Sequence, residues 1–114
     1  MLRTLFLSLG LMLAALQPGW AQDDPDKLEE GRRLAAIWCN NCHLTGAGTQ
    51  GRAADAAPSF RSIARMPSTT ALSLHAFLQT PHNLMPDYHL SREEQDSLVA
   101  YILSLKGSQE PVRR

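Results

Sequence analysis

The chain has 114 residues, with 11 basic and 11 acidic side chains and a formal net charge of zero at pH 7. This length suits a single domain, and the balanced charge argues against nucleic acid as the main partner. A chain this small forms only a thin hydrophobic core by itself, so an additional stabilising group is expected.

The N-terminal residues have the pattern of an export signal. Arg3 supplies a positive charge, Leu5 to Leu16 form an apolar stretch, and Gly19-Trp20-Ala21 places small residues at the two positions that a signal peptidase reads. The apolar stretch is short for a membrane span, which favours cleavage over an uncleaved anchor. The sequence therefore predicts a signal peptide at 1–21 and a mature domain at 22–114.

The first predicted helix runs from about Asp26 to the cysteines, with Asp24 or Asp26 as its cap. Its apolar residues recur at three- and four-residue steps and form one stripe: Leu28, Gly31, Leu34, Ala35 and Trp38. Glycine inside a helix costs up to about 1 kcal/mol relative to alanine. Gly31 therefore indicates a close approach by another element.

Both cysteines of the chain lie in the sequence Cys39-Asn40-Asn41-Cys42-His43. Two cysteines separated by two residues and followed by histidine have the spacing of a c-type haem attachment site. Each thiol can add to one vinyl group of haem, and the adjacent imidazole can reach the iron. The pattern predicts one covalent haem c attached through Cys39 and Cys42, with His43 as an axial ligand of the iron.

Other uses of this cysteine pair suit the sequence less well. Two intervening residues are tight for a structural disulfide, and a thioredoxin-like redox site would lie in a βαβ pattern, which is not visible. A zinc site would need further ligands at short spacing, which the scattered histidines do not provide. A dithiol binder without haem stays open as an alternative.

A loop and two helices are predicted after the cysteine motif. Residues 44–57 contain several glycines without periodicity and are predicted to form an irregular loop. A short helix over 58–65 is expected to turn Phe60, Ile63 and Ala64 inward and to end before Pro67. A third helix, about 69–79 with Ser68 as its cap, has a shared apolar face of Leu74, Phe77 and Leu78.

The last helix has the clearest signals. Ser91 and Glu94 form a capping box at its start, and Gly107 lies where a left-handed C-terminal cap is expected. Its apolar stripe repeats at i, i+3, i+4 and i+7, with Leu98, Tyr101, Ile102 and Leu105. Because no strand is predicted, the fold class is all-α.

A haem iron bound by His43 needs a second axial ligand or has an open site. The candidates after the motif are Met66, His75, His82, Met85 and His89. Met85 is favoured because Pro86 keeps it out of the α-helical region, in a loop between two helical segments. His82 in the same loop is its main rival. The others are interpreted as packing residues (Met66, His75) or as solvated (His89).

The chain resembles the class I cytochromes c of the bacterial periplasm over nearly all of residues 22–114. The resemblance rests on the cysteine motif and on three weaker elements in the family's order, Ala57-Pro58-Ser59-Phe60, Leu84-Met85-Pro86 and Leu98-Val99-Ala100-Tyr101-Ile102. It implies a cytochrome c fold of three to four helices around one covalently bound haem, with the first and last helices crossing.

The resemblance also implies roles for individual residues. His43 is expected to be the proximal ligand and Met85 the distal ligand of the iron. The carbonyl of Pro58 is expected to accept a hydrogen bond from the other ring nitrogen of His43, which fixes the tautomer. Gly31 is expected to pack against Tyr101 where the first and last helices cross.

One feature of the family is missing from this sequence. Many relatives have a tryptophan in the central segment that donates to a haem propionate, whereas the only tryptophan beyond the signal segment here is Trp38. Possible propionate donors instead are Arg52, Arg61, Arg65 and Tyr88.

These features predict a periplasmic electron carrier rather than an enzyme, because filled axial positions leave no iron site for a substrate. The expected partners are periplasmic redox proteins, either a dehydrogenase or an oxidase or reductase, and the chain is expected to be a monomer or a subunit of a hetero-complex. No membrane span is expected after signal cleavage. Two alternatives stay open: the electron-accepting subunit of a periplasmic dehydrogenase, and a gas-binding or peroxidase-like haem protein with an open sixth site.

Overall fold

A computed structural model describes residues 24–46, 57–82 and 84–107. Within them the elements are helical: α1 (Pro25–Leu34), a π-helical turn (Ala35–Cys39), α2 (Phe60–Arg65), α3 (Ala71–Leu78), α4 (Arg92–Ser104) and a 3₁₀ turn (Leu105–Gly107). No strand occurs in these ranges, which confirms the predicted all-α class. The predicted signal peptide and much of the glycine-containing loop, with Arg52, lie outside the described residues.

Helix α1 begins at a side-chain cap and ends in a wider turn. Asp24 is the cap, and its carboxylate accepts from the backbone N–H of Asp26 at 3.0 Å. After Leu34 the backbone changes to π-helical geometry as far as Cys39. Such π-turns within α-helices frequently occur at functional sites. The turn brings the first cysteine to the end of α1 while the chain is still helical.

Helices α1 and α4 cross at Gly31. Gly31 is buried, and a Cβ atom built on it would lie 2.6 Å from Cβ of Tyr101 and in contact with the carbonyl of Ser97. A separation below 3.0 Å is one that real Cβ atoms essentially never show. The glycine therefore lets the two helix backbones meet, as its position within α1 predicts.

The core lies between α4 and the other helices. Its buried side chains are Ala35, Phe60, Ala64, Leu74, Leu98, Val99, Tyr101 and Ile102. Helix α4 supplies four of these eight residues, because its apolar stripe faces the other three helices. The predicted capping box at its start is confirmed, since Ser91 Oγ accepts from the N–H of Glu94 and the Glu94 carboxylate accepts from the N–H of Ser91.

Helix α3 is capped by Thr70, so the prediction of Ser68 as its cap is wrong. Thr70 Oγ1 accepts from the N–H of Ser73 at 3.1 Å, and Ser73 Oγ accepts from the N–H of Thr70 at 2.9 Å. A helix capped by Ser68 would place Ala71 at the third helical position, and alanine has no side-chain acceptor. Because α3 starts at Ala71, its third helical position is Ser73, which has a hydroxyl acceptor. On the predicted apolar face, Leu74 is buried but Phe77 is 45% exposed.

The end of α4 also differs from the prediction. Gly107 is not in the left-handed conformation expected of a C-terminal cap; among the glycines of the described ranges only Gly46 has a positive φ, of 73°. The helix tightens into the 3₁₀ turn instead, and the N–H of Leu105 reaches the carbonyls of Ile102 and Leu103. Tightening the last turn satisfies terminal carbonyls without a left-handed residue.

Tyr101 connects α4 to the segment that follows His43. Its hydroxyl donates to the carbonyl of Thr45 at 2.9 Å, and both residues are buried, Thr45 with 1% of its surface exposed. Burial raises the pKa of the Tyr101 phenol, which keeps it protonated as a donor. This hydrogen bond holds the first residues after the cysteine motif against the core.

Replacing Tyr101 by phenylalanine is expected to reduce the free energy of unfolding by about 1–2 kcal/mol, because the buried Thr45 carbonyl loses this donor. Denaturant unfolding followed by circular dichroism measures the change. Tyr88→Phe is the matched control, since it removes the same atom from a residue with a ring contact to Trp38. Equal unfolding midpoints for the two variants would contradict the prediction.

Candidate functional site

The cysteine motif forms a tight turn at the end of α1. Cys39 is half-buried at the last position of the π-turn, and its carbonyl accepts from the N–H groups of Cys42 at 3.2 Å and His43 at 2.9 Å. Cys42 is exposed, and the two cysteines do not form a disulfide. The local sequence thus folds back on Cys39, so both thiols and the imidazole come from one turn.

The imidazole of His43 is oriented by a backbone carbonyl. Its Nδ1 lies 2.6 Å from the carbonyl oxygen of Pro58, at a sequence separation of 15 residues. A carbonyl only accepts, so Nδ1 carries a proton, and in the neutral imidazole the lone pair is then on Nε2. The ring also lies beside Phe60, with ring centroids 5.3 Å apart. Phe60 itself is tied to the motif, because its N–H donates to the carbonyl of Leu44 at 3.0 Å.

The electrostatics at Cys39 differ from those of a reactive dithiol. Burial, and then the neighbouring Cys42, raise the pKa of the Cys39 thiol to about 11. Redox-active and metal-binding cysteines usually have lowered pKa values, because the thiolate is the reactive form. In the ranges 24–46, 57–82 and 84–107, no group of three or more His, Cys, Asp or Glu side chains could hold a metal ion. The raised pKa of Cys39 disfavours the dithiol alternative.

Met85 lies in the segment that joins α3 to α4, here called the strap (residues 80–82 and 84–90). It is half-buried, and its backbone pairs with that of His82 in an isolated antiparallel bridge. The pair borders a small cleft whose lining includes Phe77, Leu78, Pro81 and Pro86. The imidazole of His82 stacks on the ring of Phe77, with centroids 3.5 Å apart and planes 23° apart. Met85 and His82, the two main candidates for the distal ligand, are therefore neighbours in the strap, but only the His82 side chain stacks on Phe77.

An aromatic contact brings the strap to the cysteine motif. Trp38, the residue before Cys39, and Tyr88 of the strap have ring centroids 5.1 Å apart. The strap thus passes beside the end of α1, although about 50 residues separate the two in the chain. This contact brings the segment containing Met85 beside the turn formed by the cysteine motif.

Several large apolar side chains are exposed around this region. They are Ile37, Trp38, Phe77 and Leu84, with exposed fractions from 44% to 95%. So much exposed apolar surface in a small domain usually marks a site for an apolar ligand or a partner. Together with two unpaired thiols and an imidazole whose Nε2 lone pair is available, these residues fit a covalently attached haem.

The other candidate ligands have different surroundings. His75 is partly buried on α3, and its Nε2 lies 3.1 Å from Asp96 Oδ1, so it pairs with α4 as a packing residue. His89 is solvated as expected, with 85% of its side chain exposed. Met66 is 45% exposed, so its interpretation as a packing residue is wrong. It lies in the turn after α2, whose inward positions are occupied by Phe60 and Ala64.

Two of the possible propionate donors already make other contacts. Arg65 Nε lies 3.5 Å from the carbonyl of Lys106, and the Tyr88 ring contacts Trp38. Arg61 is half-buried on α2. These positions do not identify a propionate partner, and the prediction stays open.

Three contacts near the site were not anticipated from the sequence. They are the Trp38–Tyr88 ring contact, the Tyr101–Thr45 hydrogen bond and the buried amide of Gln95 between α3, α4 and the strap. The only sequence signal for Gln95 is its position next to the apolar stripe of α4, where a buried polar side chain needs partners. Within the described residues, no helix is long and apolar enough to cross a membrane.

Comparison with known proteins agrees with this site. The family model described as "Cytochrome C oxidase, cbb3-type, subunit III" matches residues 26–102. Cytochrome c-552 of Bradyrhizobium diazoefficiens is 43% identical over 76 residues, which cover 67% of this chain and 72% of that protein. No solved structure gives a significant match. The chain therefore belongs to the cytochrome c family and is a small c-type cytochrome, a class of electron-transfer proteins that carry covalently bound haem c with its iron.

Proposed function

We propose that this protein is a monohaem carrier that passes single electrons between periplasmic redox proteins, with His43 and Met85 as the axial ligands of the iron. Cys39 and Cys42 would hold the haem as thioethers, and Pro58 would orient His43. The observation that carries the proposal is the 2.6 Å contact from His43 Nδ1 to the Pro58 carbonyl, beside two unpaired cysteines. A leader at 1–21 that directs export is part of the same proposal.

His43 is prepared for ligation by its hydrogen bond. Donation from Nδ1 to the Pro58 carbonyl leaves the Nε2 lone pair available and increases its basicity. Phe60 packs against the ring and limits its rotation. Pro58 precedes α2 by two residues and Phe60 is its first residue. Packing of α2 against the core therefore positions the imidazole of His43 before haem is bound.

Met85 is the better distal ligand on physical grounds. Its soft thioether favours ferrous iron and so raises the reduction potential above that of a bis-histidine site. The imidazole of His82 is stacked on Phe77, and an aromatic pair of this kind is worth about 0.5–1.5 kcal/mol, so any movement of the ring toward iron that breaks the stack costs this energy. The strap already lies beside the attachment turn through Tyr88 and Trp38.

The side chains around the site would support electron transfer by surrounding the haem. When bound, haem supplies one-electron exchange between ferric and ferrous iron. The side chains on α1, α2 and the strap would exclude water from it, which disfavours the more highly charged ferric state. Two filled axial positions would leave no place for a substrate, and therefore we propose a carrier and not an enzyme. Docking with the redox partners would be weak and transient, over a small interface.

A second candidate is a cytochrome subunit of a larger oxidoreductase. The description of the matching family, an oxidase subunit, favours it, and the electron-accepting subunit of a periplasmic dehydrogenase belongs to the same class. Chemistry at the iron would be the same in both cases. Purification of the tagged protein from its native host separates them, because only the subunit retains a larger flavin, quinone, molybdenum or haem–copper partner in stoichiometric amount.

The test of the ligand assignment is a comparison of Met85→Ala with the wild-type holoprotein. The oxidised wild-type protein is expected to show a far-red band from methionine-to-iron charge transfer. The variant is expected to lose this band, to bind CO when reduced, and to have a potential lower by on the order of 0.1 V, within the span of about 0.8 V that axial ligands control. Optical and near-infrared spectra with a redox titration measure all three.

Met66→Ala is the matched control, because it removes a thioether that is also partly exposed but lies after α2. It is expected to leave the band and the potential unchanged. A wild-type spectrum that lacks the far-red band and is unchanged in Met85→Ala would assign the site to His82. Rapid CO binding by the wild-type protein would replace the carrier by a gas-binding or peroxidase-like function.

A further inference from the structure

Gln95 in the first turn of α4 is a buried polar side chain with partners on both sides of the strap. It is 8% exposed. Its Oε1 accepts from Nε2 of Gln79, the residue after α3, at 3.2 Å. Its Nε2 donates to the carbonyl of Leu90, just before α4, at 3.1 Å. One amide therefore joins the residue that precedes the strap to the residue that ends it.

The orientation of this amide follows from its partners. The Leu90 carbonyl only accepts, so it requires the amide nitrogen of Gln95 on its side. The oxygen then faces the amide nitrogen of Gln79, and His75 Nδ1 lies 3.5 Å from the same oxygen. His75 is held in turn by Asp96 through its Nε2. The position of Gln95 is thus set by three direct partners, Gln79, Leu90 and His75, the last of which is held by Asp96.

Met85 lies near the middle of the strap, and the Gln95 amide joins the two ends of the strap. The strap is attached to the body of the domain at its two ends through this amide, at His82 through the stack on Phe77, and at Tyr88 through the ring contact with Trp38. The backbone pairing of Met85 is with His82, which belongs to the strap itself. The position of the Met85 thioether relative to α1 therefore depends on how firmly the ends of the strap are held.

We propose that Gln95 is a positioning residue that fastens the two ends of the strap together and thereby keeps the Met85 thioether in place on the iron. This inference rests on the proposed assignment of Met85 as the distal ligand. The chemistry needed is that of a neutral amide, which can donate to one end and accept from the other at the same time. Leucine has a similar size but can do neither.

The experiment measures how easily an added ligand displaces Met85 in Gln95→Leu. Imidazole is titrated into the oxidised holoprotein, and the loss of the far-red band reports displacement of the thioether. Gln95→Leu is expected to increase the affinity for imidazole by about tenfold, which corresponds to about 1.4 kcal/mol. Gln79→Ala changes an exposed residue and removes only one of the two hydrogen bonds of the Gln95 amide. It is expected to increase the affinity for imidazole about threefold. This variant provides the test if Gln95→Leu does not fold.

A control separates positioning from general loss of stability. Val99 is buried on the same helix and belongs to the core, so Val99→Ala destabilises the domain without removing a contact of the amide. Unfolding by denaturant, followed by circular dichroism, gives the stability of each variant. We expect Val99→Ala to lower the unfolding midpoint while its affinity for imidazole stays near that of the wild type.

The outcomes distinguish this inference from the assignment on which it rests. A wild-type protein without the far-red band overturns the methionine assignment and, with it, the role of Gln95. A wild-type protein with the band, combined with unchanged imidazole affinity in Gln95→Leu and Gln79→Ala, overturns the role of Gln95 alone. Equal increases in Gln95→Leu and Val99→Ala also overturn it, since they would reflect stability only.

Discussion

Little folded protein is expected when Cys39 and Cys42 are both replaced by alanine. The described residues include only nine buried hydrophobic side chains, and large apolar side chains near the cysteine motif, Trp38 among them, stay substantially exposed. Small domains bury too little surface to be stable without an added element. A covalently attached haem would cover this apolar surface, and the double variant cannot retain it as thioethers.

The measurement is the yield of soluble protein and its helical circular dichroism, with haem retention after acid–acetone extraction as a direct check on the thioethers. The variant is expected to lose most of the helical signal of the wild-type holoprotein. Glu30→Ala combined with Arg33→Ala is the matched control, because it also introduces two alanines but removes only an exposed ion pair, which contributes little to stability. A stable and soluble double-cysteine variant would contradict a haem-dependent core.

The second large effect is expected for Gly31→Ala. The new Cβ would lie 2.6 Å from Cβ of Tyr101 and would also meet the Ser97 carbonyl, so α1 and α4 must separate. Overpacking of this kind costs about 1–3 kcal/mol, and a contact with backbone places the expected loss near the upper value. The higher helix propensity of alanine recovers up to about 1 kcal/mol. We therefore expect a net loss of about 2 kcal/mol in the free energy of unfolding of the holoprotein.

Gly107→Ala provides the control for this substitution. A Cβ at Gly107 meets nothing within 4 Å, and the residue does not need a left-handed backbone. Its free energy of unfolding is expected to stay within about 0.5 kcal/mol of the wild type, as is usual for surface substitutions. Denaturant titration of both variants tests the comparison. Equal stability of the two would mean that the helix crossing tolerates a wider separation.

The two glycines also illustrate what sequence patterns can predict. Gly31 stands out because it interrupts an apolar stripe in a helix, so its cost implies a compensating contact, and the resemblance to cytochromes c suggested Tyr101 as the neighbour. Gly107 follows a helix just as a cap glycine would, yet the chain ends α4 with a 3₁₀ turn. Either ending satisfies the last carbonyls, and the sequence does not distinguish them. The caps of α3 show the same limit, since Ser68 and Thr70 both have suitable hydroxyls.

The amino-acid sequence by itself determined the features that depend on local spacing. These are the helical class, the capping box of α4, the close grouping of Cys39, Cys42 and His43 in one turn, and the family. Side chains three or four residues apart share a helix face, and two cysteines in one turn are close in any fold, so such patterns can be read without tertiary information.

Only the tertiary structure decided which distant groups meet around that turn. Trp38 lies against Tyr88, Tyr101 donates to the carbonyl of Thr45, and Gln95 bridges the two ends of the strap. These contacts join residues that are distant in the chain, and no periodicity connects them. Their partners are chosen by the packing of α1, α2 and α3 against α4, which is a property of the whole domain and not of any segment.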